Sequence, residues 1–184
     1  MRALLERQPQ MQLSLSFTTR PARAGEIDGH DYLFVDAEEF ERRREAGEFL
    51  EWAQVHGSLY ATSREWIERR IAAGEDIVLE IDRQGALQVQ RLYPQAVGVF
   101  IAPPSIDVLG QRLVVRGQDS AAVIERRLDA AEAELKQAHH FQYVIINQDF
   151  ACALDDLVTI VEAARLRYTN QRARCPDVFA ALGI

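Results

Sequence analysis

Two arginines with two residues between them occur in a turn-forming stretch near the start of the chain. The stretch runs Arg20-Pro21-Ala22-Arg23-Ala24-Gly25-Glu26. A guanidinium is a rigid fork of N–H donors that matches phosphate oxygens, and the proline and glycine favour a turn in which both arginines can reach one phosphate. Hydrated arginine pairs are also common in surface loops. The pair therefore indicates a phosphate site, with a solvated loop as the alternative.

Polar side chains end two apolar segments farther along the chain. Two carboxylates, Glu80 and Asp82, close an apolar run that begins at Ile77, and Asn147 follows a second run at 143–146. Ligands of open parallel sheets bind beyond the carboxyl ends of the strands. Carboxylates at that edge suit phosphates carried with Mg²⁺, which prefers oxygen ligands and keeps several waters. The alternative is that Asp82 only caps the next helix, through Gly85.

The elements that must position these residues predict an α/β fold. Near-continuous apolar strands at 77–82, 97–102 and 143–147 alternate with helices, a pattern typical of a parallel sheet covered on both faces. Earlier strands are predicted at 13–17, 31–35 and 48–55, and these form a small mixed β insertion.

Helix boundaries follow from capping residues. Asp36 and Glu39 form a capping box for a short helix that Gly47 ends. Further helices are predicted to begin at Ser63, at Ser105 and near Ser120. A short helix at the first residues and a long helix over about 151–172 complete the pattern.

Composition restricts the class of protein. The 184 residues carry a net charge of −7, which argues against a general affinity for nucleic acids or anionic membranes. No apolar run is long enough to span a bilayer, and no secretory signal is predicted. Four histidines and two cysteines show no metal-ligand spacing. A reduced, cytoplasmic protein is expected.

Seven segments of the chain form one ordered pattern: the most specific is SLSFTTRPARAGEIDGHDY at 14–32, and the others lie at 48–53, 60–62, 79–86, 100–105, 112–117 and 144–147. In order and over nearly the whole length of the chain, these segments resemble the guanylate kinases of bacteria. The resemblance implies one domain over 1–184 with a P-loop-kinase-like parallel sheet flanked by helices. It also implies a GMP-binding subdomain at about 13–73 and a helical lid at about 106–130. The reaction implied is the transfer of a phosphoryl group from ATP to GMP, with Mg²⁺ as cofactor.

The resemblance also implies which residues bind GMP. Four would hold the phosphate: Arg20, Arg23, Tyr32 and Tyr60. Four would recognise the guanine base: Ser16, Glu51, Thr62 and Asp82. Guanine presents N1–H beside an exocyclic amine, and one carboxylate can accept from both, whereas adenine has an acceptor at N1. Without the resemblance, Glu51 is interpreted as a solvent-facing strand residue.

Three arginines match the family's lid positions: Arg112, Arg116 and Arg127. Arginines that close over a moving phosphoryl group stabilise its charge and exclude water. Amphipathic helices with solvated arginines are the alternative that periodicity alone favours. By the same resemblance Asn147 would contact adenine. Glu80 would organise the phosphates with Mg²⁺, which would be held through water and phosphates rather than directly by the protein.

The sequence departs from the family pattern at three places. Ala61 stands where a glycine is usual, and Val114 with Val115 replaces the usual residues before Arg116, which predicts a stiffer lid hinge. No G-x-x-G-x-G-K-S/T loop for the ATP phosphates occurs, and Lys136, the one lysine, lies far along the chain. The hypothesis at this point is that Met1 is an internal methionine of a longer protein, and that these residues alone have little activity.

Two other functions stay open. One is a non-catalytic module that binds GMP or a phosphorylated ligand, and the other is a kinase of the same fold acting on a phosphorylated sugar. The guanine-recognising set disfavours the sugar kinase. The partners expected are GMP and ATP, without nucleic acid or membrane, and the sequence does not separate a monomer from a homo-oligomer.

Overall fold

The computed structural model describes residues 1–117 and 120–184, and the chain is an α/β protein in two compact units. One unit comprises Met1–Ala96 with Arg172–Ile184, and the other is Val97–Gln171. In the first unit the strands are β1 (Met11–Leu13), β2 (Ser16–Thr18), β3 (Leu33–Phe34), β4 (Phe49–Val55), β5 (Ser58–Ser63) and β6 (Asp76–Val78). Its helices are α1 (Arg2–Arg7), α2 (Ala37–Glu45), α3 (Arg64–Ala72), α4 (Arg83–Leu92), α8 (Tyr168–Arg174, which starts in the second unit) and α9 (Pro176–Leu182).

A four-stranded mixed sheet dominates the first unit, in the order β3-β2-β5-β4. Strand β2 is parallel to β3 and antiparallel to β5, and β4 with β5 forms a hairpin. The two-residue turn of the hairpin, His56 and Gly57, has φ of 50° and 89°. Positive φ at both positions is the geometry that matches the twist of paired strands. The predicted small mixed β insertion is therefore present.

Capping residues position the helices of the first unit as the sequence predicts. The Asp36 carboxylate accepts from Glu39 N–H at 2.8 Å, and the Ser63 hydroxyl accepts from Trp66 N–H at 3.3 Å. Two apolar clusters hold these helices in place. One contains Phe40 with Phe49 and Ala61, and the other joins Leu50, Ile67 and Val89.

Parallel pairing occurs in two separate ladders. Strand β1 pairs with β6 in the first unit, and in the second unit β7 (Val99–Ala102) pairs with β8 (Tyr143–Ile146). The second unit also contains α5 (Ile106–Arg116), α6 (Ala121–Leu135) and α7 (Phe150–Arg165). The α/β class with parallel strands, flanking helices and a mixed sheet is confirmed.

Several predicted boundaries were wrong. The strand predicted at 13–17 is interrupted at Ser14 and Leu15, so β1 and β2 belong to different sheets. The strand predicted at 77–82 ends at Val78, and the one predicted at 31–35 is only Leu33–Phe34. The long helix predicted over 151–172 ends at Arg165, and α8 starts at Tyr168.

The subdomain at 13–73 and the lid at 106–130 remain predictions. The mixed sheet lies inside the first range and most of α5 and α6 inside the second, but residues 118 and 119 of the predicted lid lie outside the described residues. In the described part of the chain, no helix has the length and apolarity needed to cross a membrane.

Candidate functional site

Three neighbouring strands carry Ser16, Thr62 and Glu51 in one row across the mixed sheet. Ser16 on β2 is paired with Thr62 on β5, and Thr62 is paired with Glu51 on β4. Residues paired directly across antiparallel strands project from the same face of the sheet. Pairing therefore brings together three of the four residues predicted to recognise the base.

The Glu51 carboxylate is buried and joined to Thr62. Its residue is 3% exposed, and the Thr62 hydroxyl donates to Glu51 Oε1 at 2.6 Å. Burial raises the pKa of Glu51 to about 7; the Thr62 hydrogen bond opposes that shift, and the nearby Asp82 charge adds to it. The alternative of a solvent-facing Glu51 is wrong. The carboxylate is therefore an acceptor held away from water.

A β-bulge beside Glu51 turns Phe49 to the opposite face of the sheet. Phe49 is paired with Ser63 and Glu51 with Thr62, so Leu50 is an extra residue on β4. Without the bulge, strict alternation would place Phe49 and Glu51 on the same face. Instead Phe49 and Leu50 enter different apolar clusters and Glu51 meets Thr62. The bulge could not be predicted from the sequence, because residues 48–55 contain no glycine or proline.

Helix α4 begins directly beside Glu51. Asp82 caps this helix through Gly85, because Asp82 Oδ1 accepts from Gly85 N–H at 2.9 Å, and Gln84 Nε2 donates to Asp82 Oδ2 at 3.1 Å. Asp82 therefore caps the helix, and its predicted contact with the base stays a prediction. The same carboxylate lies close enough to influence the pKa of Glu51, so the fourth predicted base-recognising residue also belongs to this cluster.

A second cluster surrounds Arg20 on the same sheet. Its Nη2 atom donates to both carboxylate oxygens of Glu26, at 2.8 and 2.9 Å, and its guanidinium carbon lies 5.3 Å from the centre of the Tyr32 ring. The ring of Tyr32 meets that of Tyr60 edge-on, with centroids 6.1 Å apart, and Tyr60 also hydrogen-bonds Arg20. Burial, with Tyr60 close by, raises the pKa of the Tyr32 phenol.

The register connects the two clusters. Tyr60 lies two residues before Thr62 on β5 and is paired with Thr18, which accepts from Arg20 N–H at 3.1 Å. Because alternate residues of a strand share a face, Tyr60 and Thr62 project from the same side, roughly 7 Å apart. One face of the sheet thus presents a buried carboxylate beside the cluster of Arg20 with Tyr32 and Tyr60.

Glu26 shapes the loop between the predicted phosphate arginines. It accepts from Arg23 N–H at 2.7 Å as well as from the Arg20 guanidinium. These bonds lower the pKa of Glu26, the Arg20 contact being the largest cause. Arg23 itself is half-buried in the same turn.

Glu80 lies in the extended segment after β6 and is exposed. Its charge contributes to the raised pKa of Tyr32, after burial and Tyr60. No group of three or more potential metal-ligating side chains occurs in the described ranges 1–117 and 120–184. A single exposed carboxylate fits Mg²⁺ held through water and phosphates, because this ion keeps several waters.

The second unit holds the other four predicted residues. Arg112 on α5 donates to the Asn147 carbonyl at 2.8 Å and to the Gln148 carbonyl at 3.1 Å, which joins two of them at the end of β8. Arg116 is exposed in the last turn of α5, on the same helix face as Arg112. Arg127 is half-buried on α6, the helix that packs against α5.

Two residues at the first site, Glu26 and Gln88, have no predicted role, and Gly85 is predicted only as the partner of the Asp82 cap. Glu26 was detectable from the sequence, because it follows Arg23 by three positions and Arg20 by six within one turn-forming stretch. Gly85 and Gln88 on α4 contact the strand that carries Glu51, and only the three-dimensional packing reveals them.

Comparison with known proteins gives concordant matches. The guanylate kinase family model matches residues 1–164. A guanylate kinase of Aromatoleum aromaticum is 57% identical over 171 residues, which is 93% of this chain and 84% of that protein. One from Bordetella pertussis is 54% identical over 183 residues, covering 100% of this chain and 85% of the relative. The crystal structure of guanylate kinase from Anaplasma phagocytophilum matches with a TM-score of 0.76 and 34% identity, over 91% of this chain and 80% of that one.

Proposed function

Since the chain belongs to the guanylate kinase family, we propose that its mixed sheet binds GMP and that the arginines of its second unit act on the transferred phosphoryl group. The protein is an ATP:GMP phosphotransferase, which converts ATP and GMP to ADP and GDP. The proposal concerns which residues perform each part of this reaction.

Guanine binds at the row formed by Ser16, Thr62 and Glu51. Each Glu51 oxygen keeps lone pairs beyond the Thr62 bond, so the carboxylate accepts from guanine N1–H and from the exocyclic amine together. Adenine presents an acceptor at N1 and leaves the carboxylate unpaired in a buried position. Such a loss discriminates strongly between bases.

The GMP phosphate binds at the cluster around Arg20. Arg20 uses one nitrogen on Glu26 and packs over Tyr32, so the guanidinium is oriented before the ligand arrives. Arg23, Tyr32 and Tyr60 supply the remaining donors. Orientation in advance reduces the entropy lost on binding.

The phosphoryl-transfer residues are Arg112, Arg116 and Arg127, with Asn147 at the adenine. Charge spreads over the equatorial oxygens of the moving group, and arginine donors stabilise it. Mg²⁺ bound to the phosphates would supply further neutralisation of that charge, and Glu80 would hold one of its waters. The exposed free thiols of Cys152 and Cys175 support a reducing, cytoplasmic location.

The observation that carries the proposal is the buried Glu51 carboxylate, two residues along the sheet from the Arg20–Tyr60 cluster. Burial makes the ionised form of Glu51, whose pKa is about 7, unfavourable, and donation from guanine would stabilise it. A phosphorylated sugar offers rotatable hydroxyls, which both donate and accept, instead of a fixed pair of N–H donors in one plane.

The proposal is tested by separating nucleotides after incubation of the protein with ATP, Mg²⁺ and GMP. We expect GDP and ADP in equal amounts, and at least tenfold less diphosphate from IMP or AMP. Because residues 1–184 contain no loop for the ATP phosphates, the assay uses the native protein; its binding GMP with no GDP formed would favour the non-catalytic module. Phosphorylation of a base-free phosphate acceptor would instead favour the sugar kinase.

A further inference from the structure

We propose that Gly85 is a positioning residue for base specificity: because it lacks a Cβ, the Glu51 carboxylate can lie against the first turn of α4. The inference rests on the proposed role of Glu51 in binding guanine. It assigns the glycine's role to ligand recognition rather than to backbone conformation.

The space that a Cβ would need at Gly85 is already taken by Glu51. A methyl group built there lies 2.9 Å from the Glu51 carboxyl carbon and closer still to Oε2. Gly85 is buried, and its φ is outside the left-handed region, so its backbone accepts an alanine. The obstacle is therefore the carboxylate of one side chain.

The backbone on either side of Glu51 is fastened to α4. Gln88 Nε2 donates to the Trp52 carbonyl at 2.8 Å, and Gln88 Oε1 accepts from Trp52 N–H at 3.3 Å. On the other side, Leu50 packs with Val89 of the same helix. Separation of β4 from α4 would break these contacts, so the side chain of Glu51 has to move instead.

A displaced carboxylate no longer accepts from both guanine donors. Oε1 is bonded to Thr62, and Oε2 is the atom nearest the new methyl group. Rotation away from Gly85 turns Oε2 out of the plane in which N1–H and the exocyclic amine lie side by side. Recognition of the amine is lost while the sheet and the phosphate cluster remain.

The test measures dissociation constants for GMP and IMP by titration calorimetry, because IMP lacks the exocyclic amine. Gly85→Ala should reduce the preference for GMP over IMP by about tenfold without lowering thermal stability, since alanine is the better helix former. Gly110→Ala is the matched control. A methyl group built at Gly110 lies 3.5 Å from Leu128 Cδ1, an ordinary contact distance, so this substitution should leave the preference for GMP over IMP unchanged.

A second pair of variants separates positioning from a general structural effect. Aspartate at position 51 is shorter and clears the new methyl group, so Gly85→Ala should have no further effect on the preference in the Glu51→Asp protein. An equal loss in both backgrounds would overturn the inference. If the Gly85→Ala protein does not fold, the double variant Glu51→Asp, Gly85→Ala decides. A double variant that folds and has the same preference as Glu51→Asp would support the inference, and one that does not fold would overturn it.

Glu51→Ala distinguishes failure of the inference from failure of the proposed function. If Glu51→Ala loses the preference for GMP and Gly85→Ala keeps it, Gly85 has no positioning role although Glu51 still recognises the base. If Glu51→Ala keeps the preference, the proposed base site itself is wrong.

Discussion

At the scale of single residues, the site depends on a carboxylate that the sheet hides from water. Glu51 is 3% exposed, and burial is the main cause of its raised pKa. Its hydrogen bonds come from Thr62, through the hydroxyl and the backbone. The ionised group is therefore costly for the fold and valuable for a ligand with two adjacent donors.

That cost predicts how stability depends on pH. The pKa of Glu51 is about 7 in the folded state against an ordinary value of 4.5, so its contribution to stability is complete below pH 4.5 and is lost as pH rises through 7. Glu51→Gln removes this dependence. The free energy of unfolding of the variant, relative to the parent, should therefore rise by roughly 2 kcal/mol between pH 5 and pH 8.

Urea titrations without nucleotide at both pH values provide the measurement. Glu6→Gln, which changes an exposed carboxylate on α1, is the control and should show no comparable slope. A variant that gains nothing between pH 5 and pH 8 would contradict the account of Glu51 as a buried ionisable group.

The Arg20 cluster predicts that lysine cannot replace this arginine. Arg20 binds both oxygens of Glu26 and lies over the Tyr32 ring, and phosphate binding needs further donors from the same planar group. Arg20→Lys should weaken GMP binding by roughly ten- to a hundredfold. Arg69→Lys, at an exposed position on α3, should leave the affinity unchanged, and equal losses in both variants would refute the assignment.

Sequence reasoning at the residue scale succeeded where a residue type and spacing carry their own chemistry. The arginine pair and the polar ends of the apolar runs were found from the residues alone. Glu51 was not, because its burial depends on the pairing of β4 with β5 and on the packing of α4 against β4, which no local pattern marks. Its role was predicted only through family resemblance.

At the scale of elements, caps and turns determine where the site residues lie. Asp82 starts α4 beside Glu51, and the His56–Gly57 turn sets the register that pairs Glu51 with Thr62. The predicted strand over 13–17 was wrong because alternation of apolar and polar residues continues across Ser14 and Leu15. Alternation alone does not reveal that a chain leaves one sheet and enters another.

The two arginine-bearing helices of the second unit predict contrasting capping effects. The Ser105 hydroxyl accepts from Val108 N–H at 3.1 Å at the start of α5, whereas Ser120 at the start of α6 makes no side-chain capping bond. Ser105→Ala should lower the free energy of unfolding by about 1 kcal/mol, and Ser120→Ala by much less. Denaturant titration of both variants checks this, and equal losses would show that α5 does not depend on its cap.

The stiffness of the lid hinge at Val114 and Val115 also belongs to the scale of elements. Val114 and Val115 are 64% and 87% exposed, so their side chains contribute little packing to α5. The stiffer hinge that their β-branched side chains predict stays a prediction.

At the scale of the whole molecule, the residues proposed for GMP all lie in the first unit, and the transfer arginines all lie in the second. The family, the fold class and the phosphotransferase activity were predicted from the sequence and are confirmed. That prediction depended on long segments that match the guanylate kinase pattern in the same order along the chain. The division into two units has no counterpart in composition, because no linker-like stretch separates them.

This distribution predicts where GMP protects the backbone. Amide hydrogen exchange should slow in β2 and β5 when GMP is added, because the proposed site includes residues of both strands and a bound ligand stabilises the state that binds it. Strands β7 and β8 should change little with GMP alone. Protection confined to β7 and β8 would place GMP in the second unit and would contradict the proposed site.

A crystal structure of the protein with GMP bound tests the central claim most directly. The account predicts that guanine N1 and the exocyclic amine lie within about 3.2 Å of the Glu51 carboxylate. It also predicts that the phosphate contacts Arg20, Arg23, Tyr32 and Tyr60. A nucleotide bound elsewhere, or bound here with its base turned away from Glu51, would contradict it.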